Sequence, residues 1–441
     1  MAVGSLREEV TSLLQELIRI DTVNPPGNET AAAELLRDYL QGSGVACRLI
    51  GKVPERANLV ARLPGGDGPS LLFLSHTDVV LADPAEWSVP PFSGELRDSM
   101  VWGRGALDMK GQAAASAVAI ASLAREGFRP RGDLIFAATA DEEMGSDPDF
   151  GLSWLCREHP EAVRTEFAIN EGGGGSMRKG KYLTNEVQAS EKVYQDFHLE
   201  VTNPGGHSSL PIKDNAIYHL SAGLTRLAAY EFPLELNEVT RGYFARSAEV
   251  ESDPKLAADM RAVAKATPDA AAAARLSASL PYYNALMRTT CVATKLLGGH
   301  ALNALPQMAS ANVNCRILPG VSPASVKAKL VEVLADPRIT VAFVDEAHPS
   351  KPSPLRPDVM NLVESLTKQM YPGAVVVPVM STGATDGLYM RNGEIPTYGI
   401  EGTFADMDDV RAHGKDERVG VKQYFEGLEF HYRLIKALAK K

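Results

Sequence analysis

The segment LLFLSHTD, residues 71–78, is an apolar run ending in His76 and Asp78, two residues apart. Residues i and i+2 of a strand face the same side, so these side chains would emerge together where a strand leaves the core. A histidine there can bind a metal ion through one ring nitrogen while a nearby oxygen accepts from the other and orients the ring. A core histidine preceding a turn is the equally open alternative. Asp108 ends the glycine-punctuated stretch VWGRGALDMKG. Its two oxygens could bridge two cations about 3.5–4 Å apart, or cap the helix that Lys110 opens. Glu142 and Glu143 follow the apolar run LIFAATA. They suit a division of labour in which one binds metal and the other takes a proton from water, or they are solvated charges. Glu171 ends the apolar FAINE, and His413 lies in the polar loop RAHGKDERV, where a lone histidine is usually solvated.

The elements that must position these residues can be read coarsely. A chain of 441 residues is expected to form two compact units. With 45 basic against 55 acidic side chains, the net charge of −10 argues against a nucleic-acid partner. No apolar run approaches the roughly 20 residues that span a bilayer, so no membrane association is expected. The N-terminus carries a helix pattern (Leu6, Val10, Leu13, Leu14, Leu17, Ile18) instead of a signal sequence. Cys47, Cys156, Cys291 and Cys315 are widely spaced, with no CxxC pair. This points to a reducing cytoplasm and leaves any metal to histidine and carboxylate.

To about residue 190, strand-like runs (57–63, 71–75, 133–138, 166–169) alternate with helical patterns such as 110–126, which argues for an α/β class. The character then changes. Residues 194–201 alternate as a half-exposed strand, a Pro-Gly-Gly turn follows at 204–206, and an alanine-rich helical stretch covers 254–280. Strands are expected at 292–297 and 310–317, and a helix at 323–334, capped by Ser322 with Pro323 at its first position. After Pro352 the α/β pattern resumes with a helix at 358–371, strands at 374–379 and 397–400, and a closing helix from about Gly420. The expected organisation is a catalytic domain of 1–190 and 352–441 with an α+β unit, 191–351, inserted into it. No internal repeat is found, and the glycine run 172–175 is the one low-complexity tract.

Together, HTD, DMKG, DEEMG, INEGG, GGHSS and AHGKDER resemble, in order and across nearly the whole chain, the M20 family of zinc amidohydrolases and peptidases. That family includes acetylornithine deacetylase, succinyl-diaminopimelate desuccinylase, aminoacylase-1 and the carboxypeptidase S group. The resemblance implies a zinc-exopeptidase-like catalytic domain with an inserted lid that forms a homodimer. It implies two zinc ions per subunit, with cobalt or manganese able to substitute. Asp108 would bridge them, His76 and Glu171 completing one site and Glu143 and His413 the other. Asp78 would steer His76, Glu142 would be the general base and later the proton donor, and the Asp108–Met109 peptide would be cis. His207 of GGHSS would stabilise the oxyanion, in the partner subunit's active site. Asn303 and Arg316 fall where the family places substrate-binding lid residues, and arginine suits a carboxylate because its fork donates two parallel hydrogen bonds. Ser381 and Thr385, in STGATD, match the family's substrate loop, except that Thr382 and Gly383 stand where a double glycine is usual. His300 is expected to be structural.

The implied reaction is hydrolysis of an amide beside a free carboxylate. In the family a glutamate at position 171 tends to accompany acyl-amino-acid hydrolases, which favours N-acyl amino acids as substrates. INEGGGG also resembles the carboxypeptidase S branch, so a peptidase acting on short peptides stays open. A catalytically dead binding module would be expected to lack a ligand or Glu142, and none is missing. A metal-free glycosidase using Glu142 and Glu143 is poorer, because neighbouring side chains diverge.

Overall fold

The protein is described here by a computed structural model covering residues 3–144 and 149–440. Its larger sheet has ten strands. At its centre Leu71–His76 runs parallel to Leu134–Thr139 on one side and to Phe167–Asn170 on the other. Asn58–Leu63 and Ala46–Ile50 extend it antiparallel at one edge. Beyond Phe167–Asn170 come Thr397–Gly399, Lys181–Glu191, Gly174–Arg178 and Phe404–Asp406, with Val375–Ser381 parallel to Lys181–Glu191.

Period-two alternation sorts the central strands between two cores. Leu71, Phe73, Leu134 and Phe136 face a large cluster shared with the helices Val3–Arg19, Glu29–Gln41, Lys110–Arg125, Pro357–Met370 and Val421–Leu438. Leu72, Leu74, Ile135 and Ala137 face a smaller one with Gly151–Glu158 and Pro160–Val163. Both faces are thus covered, as a parallel sheet requires. Lys110–Arg125 is buried from Lys110 through Leu123, its alanines and glycine letting neighbours approach from all sides.

A second, four-stranded antiparallel sheet runs in the order Thr290–Gly298, Met308–Ile317, Val193–Thr202, Thr340–Phe343. Its inward residues pack on the helices Ala216–Ala229 and Pro323–Leu334. Ser322 caps the latter through the Ser325 N–H, with Pro323 following. The stretch 254–280 is not one helix but two, Pro254–Val263 and Ala270–Ser279. Pro268 disfavours helix at the residue before it, and the Asp269 side chain starts the second helix by accepting from Ala272 N. Val239, Phe244, Met260, Leu276 and Met287, all within the 191–351 block, belong to the core of the large sheet, so packing divides that block.

Cys291 and Cys315 face each other across antiparallel strands and form a disulfide, Cα–Cα 4.1 Å. The absence of a CxxC pair did not exclude this bond: strand register, invisible in the spacing of 24 residues, makes the pair. Cysteine usage is therefore no ground for a reducing compartment. No helix among the described residues is long and apolar enough to cross a membrane.

Candidate metal and substrate site

Three adjacent parallel strands release their chains at the same edge, the place where open α/β sheets bind ligands. His76 ends the first, Thr139 stands beside it in register and leads to Glu142 and Glu143, and Asn170 leads to Glu171. Gly173 and Gly399 allow the backbones to close in around Glu171: a Cβ on Gly399 would lie 2.0 Å from the Glu171 carbonyl oxygen. The glycine run 172–175 is therefore a packing device.

His76 is 1% exposed. Its Nδ1 lies 3.0 Å from the Asp78 carbonyl oxygen. A carbonyl only accepts, so Nδ1 carries a proton and Nε2 is the nitrogen free to serve as a ligand. Nε2 is 3.1 Å from Asp108 Oδ1, 3.6 Å from Glu171 Oε2 and 3.9 Å from Glu142 Oε2. The second oxygen, Asp108 Oδ2, is 3.0 Å from His413 Nε2, which lies 3.1 Å from Glu143 Oε2. The two carboxylate oxygens of Asp108 thus face different histidines. Asp108–Met109 is cis. His413 holds a positive φ of 59°, unusual for a residue with a side chain.

Burial works against charge on His76, but Glu171 and Asp108 outweigh it and raise the ring well above the ordinary histidine range. Hydrogen bonds to Asp108 and Glu143 push His413 up to about 10. Burial would raise Asp108, yet His413 and His76 hold it below the usual carboxylate range. Burial, reinforced by the Glu171 charge, lifts Glu142 well above that range. The acidic cluster thus favours positive charge at its centre, which a divalent cation would supply. Glu143 Oε1 and Glu171 Oε1 are buried with no hydrogen-bond partner. Donor atoms of His76, Asp108 and Glu143, and of His76, Glu142 and Glu171, lie within 4.8 Å of one another. Orphaned oxygens and a nitrogen-and-carboxylate donor set fit a borderline cation such as zinc.

Buried groups away from the cluster hold it in place. Asp78 Oδ1 accepts the Glu142 N–H at 3.1 Å, and Oδ2 accepts the Glu143 N–H at 3.0 Å and Asn24 Nδ2 at 2.9 Å. Its carboxylate stands 3.5 Å from His76 Nδ1, farther than its own carbonyl. Asp78 therefore orients His76 mainly through its backbone, while its side chain fixes the turn that carries the two glutamates. Asn24 also donates to Asp141 Oδ1 at 2.9 Å, which accepts from Arg56 at 3.0 Å, and Arg56 pairs with Glu29. Glu417 Oε1 accepts the Leu107 and Asp108 N–H groups at 2.7 and 3.1 Å, and its Oε2 accepts from Arg104 at 2.6 Å. Arg104 in turn donates to the His413 carbonyl at 3.4 Å, tying the loops of Asp108 and His413 together. The sequence reading missed Asn24, Arg56 and Glu417. Only Glu417 carried a signal, four residues beyond His413 in the same polar motif.

A cleft of about 1040 Å³ opens on Asp108, Glu142, Glu171 and His413 and is lined also by Arg316 and Thr385. Arg316 stacks over the Tyr194 ring, 4.6 Å from its centre, and donates to the Thr382 carbonyl at 3.4 Å. The Thr385 hydroxyl donates to Glu191 at 2.9 Å and accepts the Gly387 N–H at 3.1 Å, so it braces the loop. Ser381 Oγ accepts the Gly383 N–H at 3.0 Å, and Ser381 is not among the cleft's walls. His207 is exposed on a small ribbon formed by Gly206–His207 and Ala304–Leu305, and Asn303 is exposed in the turn just before it, both outside the cleft of their own chain. His207 Nδ1 accepts the Ser209 N–H at 3.1 Å, which leaves the proton of the neutral ring on Nε2 as a free donor.

Residues 72–437 match the family model described as Peptidase family M20/M25/M40. A probable carboxypeptidase S-like 2 of Dictyostelium discoideum is 29% identical over 84% of this chain and 72% of its own length. The human N-fatty-acyl-amino acid synthase/hydrolase PM20D1 is 28% identical over 84% of this chain and 75% of that protein. The M20 family metallo-carboxypeptidase Sso-CP2 of Sulfolobus solfataricus has the same fold, with a TM-score of 0.70 and 19% identity over 97% of this chain and 98% of that one. With ligand-competent side chains gathered at the edge of such a sheet, this chain is a hydrolytic enzyme belonging to peptidase family M20/M25/M40.

Proposed function

We propose that the protein hydrolyses the amide bond of N-acyl amino acids that carry a free carboxylate, using two zinc ions. The observation that carries this reading is a single cleft in which Asp108 spans His76 and His413, Glu142 lies beside His76, and Arg316 faces the same space. His76, Asp108 and Glu171 would hold one ion, and Asp108, Glu143 and His413 the other. When bound, zinc supplies Lewis acidity toward the scissile carbonyl and lowers the pKa of water. Glu142, as carboxylate, takes the proton of the attacking water and passes it to the amine nitrogen as the C–N bond breaks. Arg316 holds the substrate carboxylate. His207 of a second subunit donates Nε2–H to the oxygen that becomes negative. The four-stranded sheet with its helices would act as the lid and carry the dimer contact through its edge strand Thr290–Gly298, where Val292, Leu296 and Leu297 are exposed.

The similarity to a carboxypeptidase S-like protein supports a second reading, a carboxypeptidase or dipeptidase acting on short peptides. To this cleft a peptide is an N-acyl amino acid whose acyl group is another residue. A hydrolysis panel of N-acetyl, N-fatty-acyl and dipeptide substrates, each with free and amidated carboxyl ends, tests both. Turnover of N-acyl amino acids above that of dipeptides is expected. Equal turnover of free and amidated substrates would sink the Arg316 clamp.

A further inference from the structure

Lys192 stands where the chain crosses from the last residue of Lys181–Glu191 in the large sheet to the first of Val193–Thr202 in the small one. Its backbone N–H donates to the Ser381 carbonyl at 3.0 Å, which anchors the crossing against the STGATD loop. The residue is 1% exposed, yet its ammonium has one polar partner among the described residues, Thr290 Oγ1 at 3.3 Å. Thr290 lies opposite Arg316 in the strand register, and so does Tyr194 on the other side. Among the described residues the Arg316 guanidinium hydrogen-bonds to neutral groups, Asn314 Oδ1 and the Thr382 carbonyl, each at 3.4 Å, and stacks on the Tyr194 ring, while the Asp196 charge reaches it through space. Lys192 and Arg316 line the same cleft as Glu142.

The nearby acids are already engaged. Glu191 pairs with Arg391 and accepts from Thr385. Asp196 accepts from Tyr194, Asn312 and Asn314. A fully buried ammonium with one neutral partner, set beside a half-buried guanidinium, is costly. Burial, and then the Arg316 charge, push Lys192 down to about 7, so an arriving anion would also secure its proton. We propose that Lys192 is the second cation of the substrate-carboxylate subsite, closing on the carboxylate together with Arg316 at the crossing between the sheets. This rests on the reading of the substrate as a free acid. It adds a residue from the crossing strand, so carboxylate binding would be felt where the lid sheet joins the catalytic sheet.

The test compares the zinc-loaded wild type with Lys192→Met and Lys192→Arg on an N-acyl amino acid and on its carboxamide. Lys192→Met is expected to raise KM for the acid about 10- to 100-fold, the scale of a charge-assisted hydrogen bond. It should leave kcat within about threefold and the carboxamide unaffected, while Lys192→Arg restores most of the loss. An unchanged KM for the acid, or equal losses on acid and carboxamide, would overturn the proposal. Calorimetry with an N-alkyl amino acid, whose scissile carbonyl is replaced by methylene, reads the same subsite without turnover. Weaker binding of that acid to Lys192→Met than to wild type, with equal binding of its carboxamide, supports the subsite even if no amide is cleaved. Equal binding of the acid to both proteins removes the subsite whatever the enzyme hydrolyses.

Discussion

Glu142 and Glu143 are chain neighbours in different surroundings. Glu143 is 5% exposed at its side chain and meets His413, whereas Glu142 turns toward His76 and Glu171. The Asp78 carboxylate sets that divergence by accepting both backbone N–H groups, which fixes the turn before either side chain chooses a direction. Donor geometry alone would also admit Glu142 beside His76 and Glu171 as a ligand. Glu142→Gln separates the roles. It is expected to cut kcat by roughly 10²- to 10⁴-fold, the usual scale for general acid–base catalysis, while zinc content stays at the wild-type level. Metal analysis showing one ion lost would transfer Glu142 to the ligand set.

At the scale of elements, the helices Lys110–Arg125 and Val421–Leu438 form the layer beneath the sheet edge that carries the candidate site. Tyr424 Oη donates to the Gly111 carbonyl at 2.8 Å, and His431 Nε2 lies 3.0 Å from Ser116 Oγ. His431 is fully enclosed, edge-on to Phe73, and burial pushes it down to about 4. The unfolded chain takes up this proton near 6.5, whereas the native protein takes it up near 4. Stability from the neutral ring is therefore full above pH 6.5 and lost progressively as the pH falls to 4, a change of roughly 3 kcal/mol. Thermal unfolding of metal-free His431→Gln should be less steep in pH than the metal-free wild type over that window. Parallel curves for the two proteins would show that His431 titrates alike in both states.

For the whole molecule, the position of His207 outside its own cleft is the main consequence of the architecture. Its exposed ribbon is flanked by Leu210 and Leu302, 74% and 107% exposed, apolar side chains left without cover in a single chain. In the proposed dimer this ribbon reaches the other subunit's cleft. Mixing inactive His207→Ala with inactive Glu142→Gln, under conditions that exchange subunits, should then recover activity toward about a quarter of wild type. That follows from statistical pairing, in which half the dimers are hybrids with one intact site each. No recovery, with hybrids present by native mass spectrometry, would place His207 in the service of its own chain.

The sequence by itself marked the positions expected to bear the chemistry. His76, Asp108, Glu143, Glu171 and His413 sit at strand ends or in glycine-flanked turns, and local patterning suffices to show such places. It also determined the α/β class and the capped helix after Ser322. Four things depended on the tertiary structure, because each joins residues far apart in the chain. Parallel pairing of Leu71–His76 with both neighbours brings His76, Glu142 and Glu171 to one edge. The Asn24–Asp78–Asp141 and Glu417–Asp108 networks join side chains far apart in the chain, and neither Asn24 nor Asp141 carries a local signal of that pairing. Antiparallel register makes Cys291 and Cys315 partners. The same register sets Arg316 beside Thr290 and Tyr194 in the cleft that Lys192 also lines.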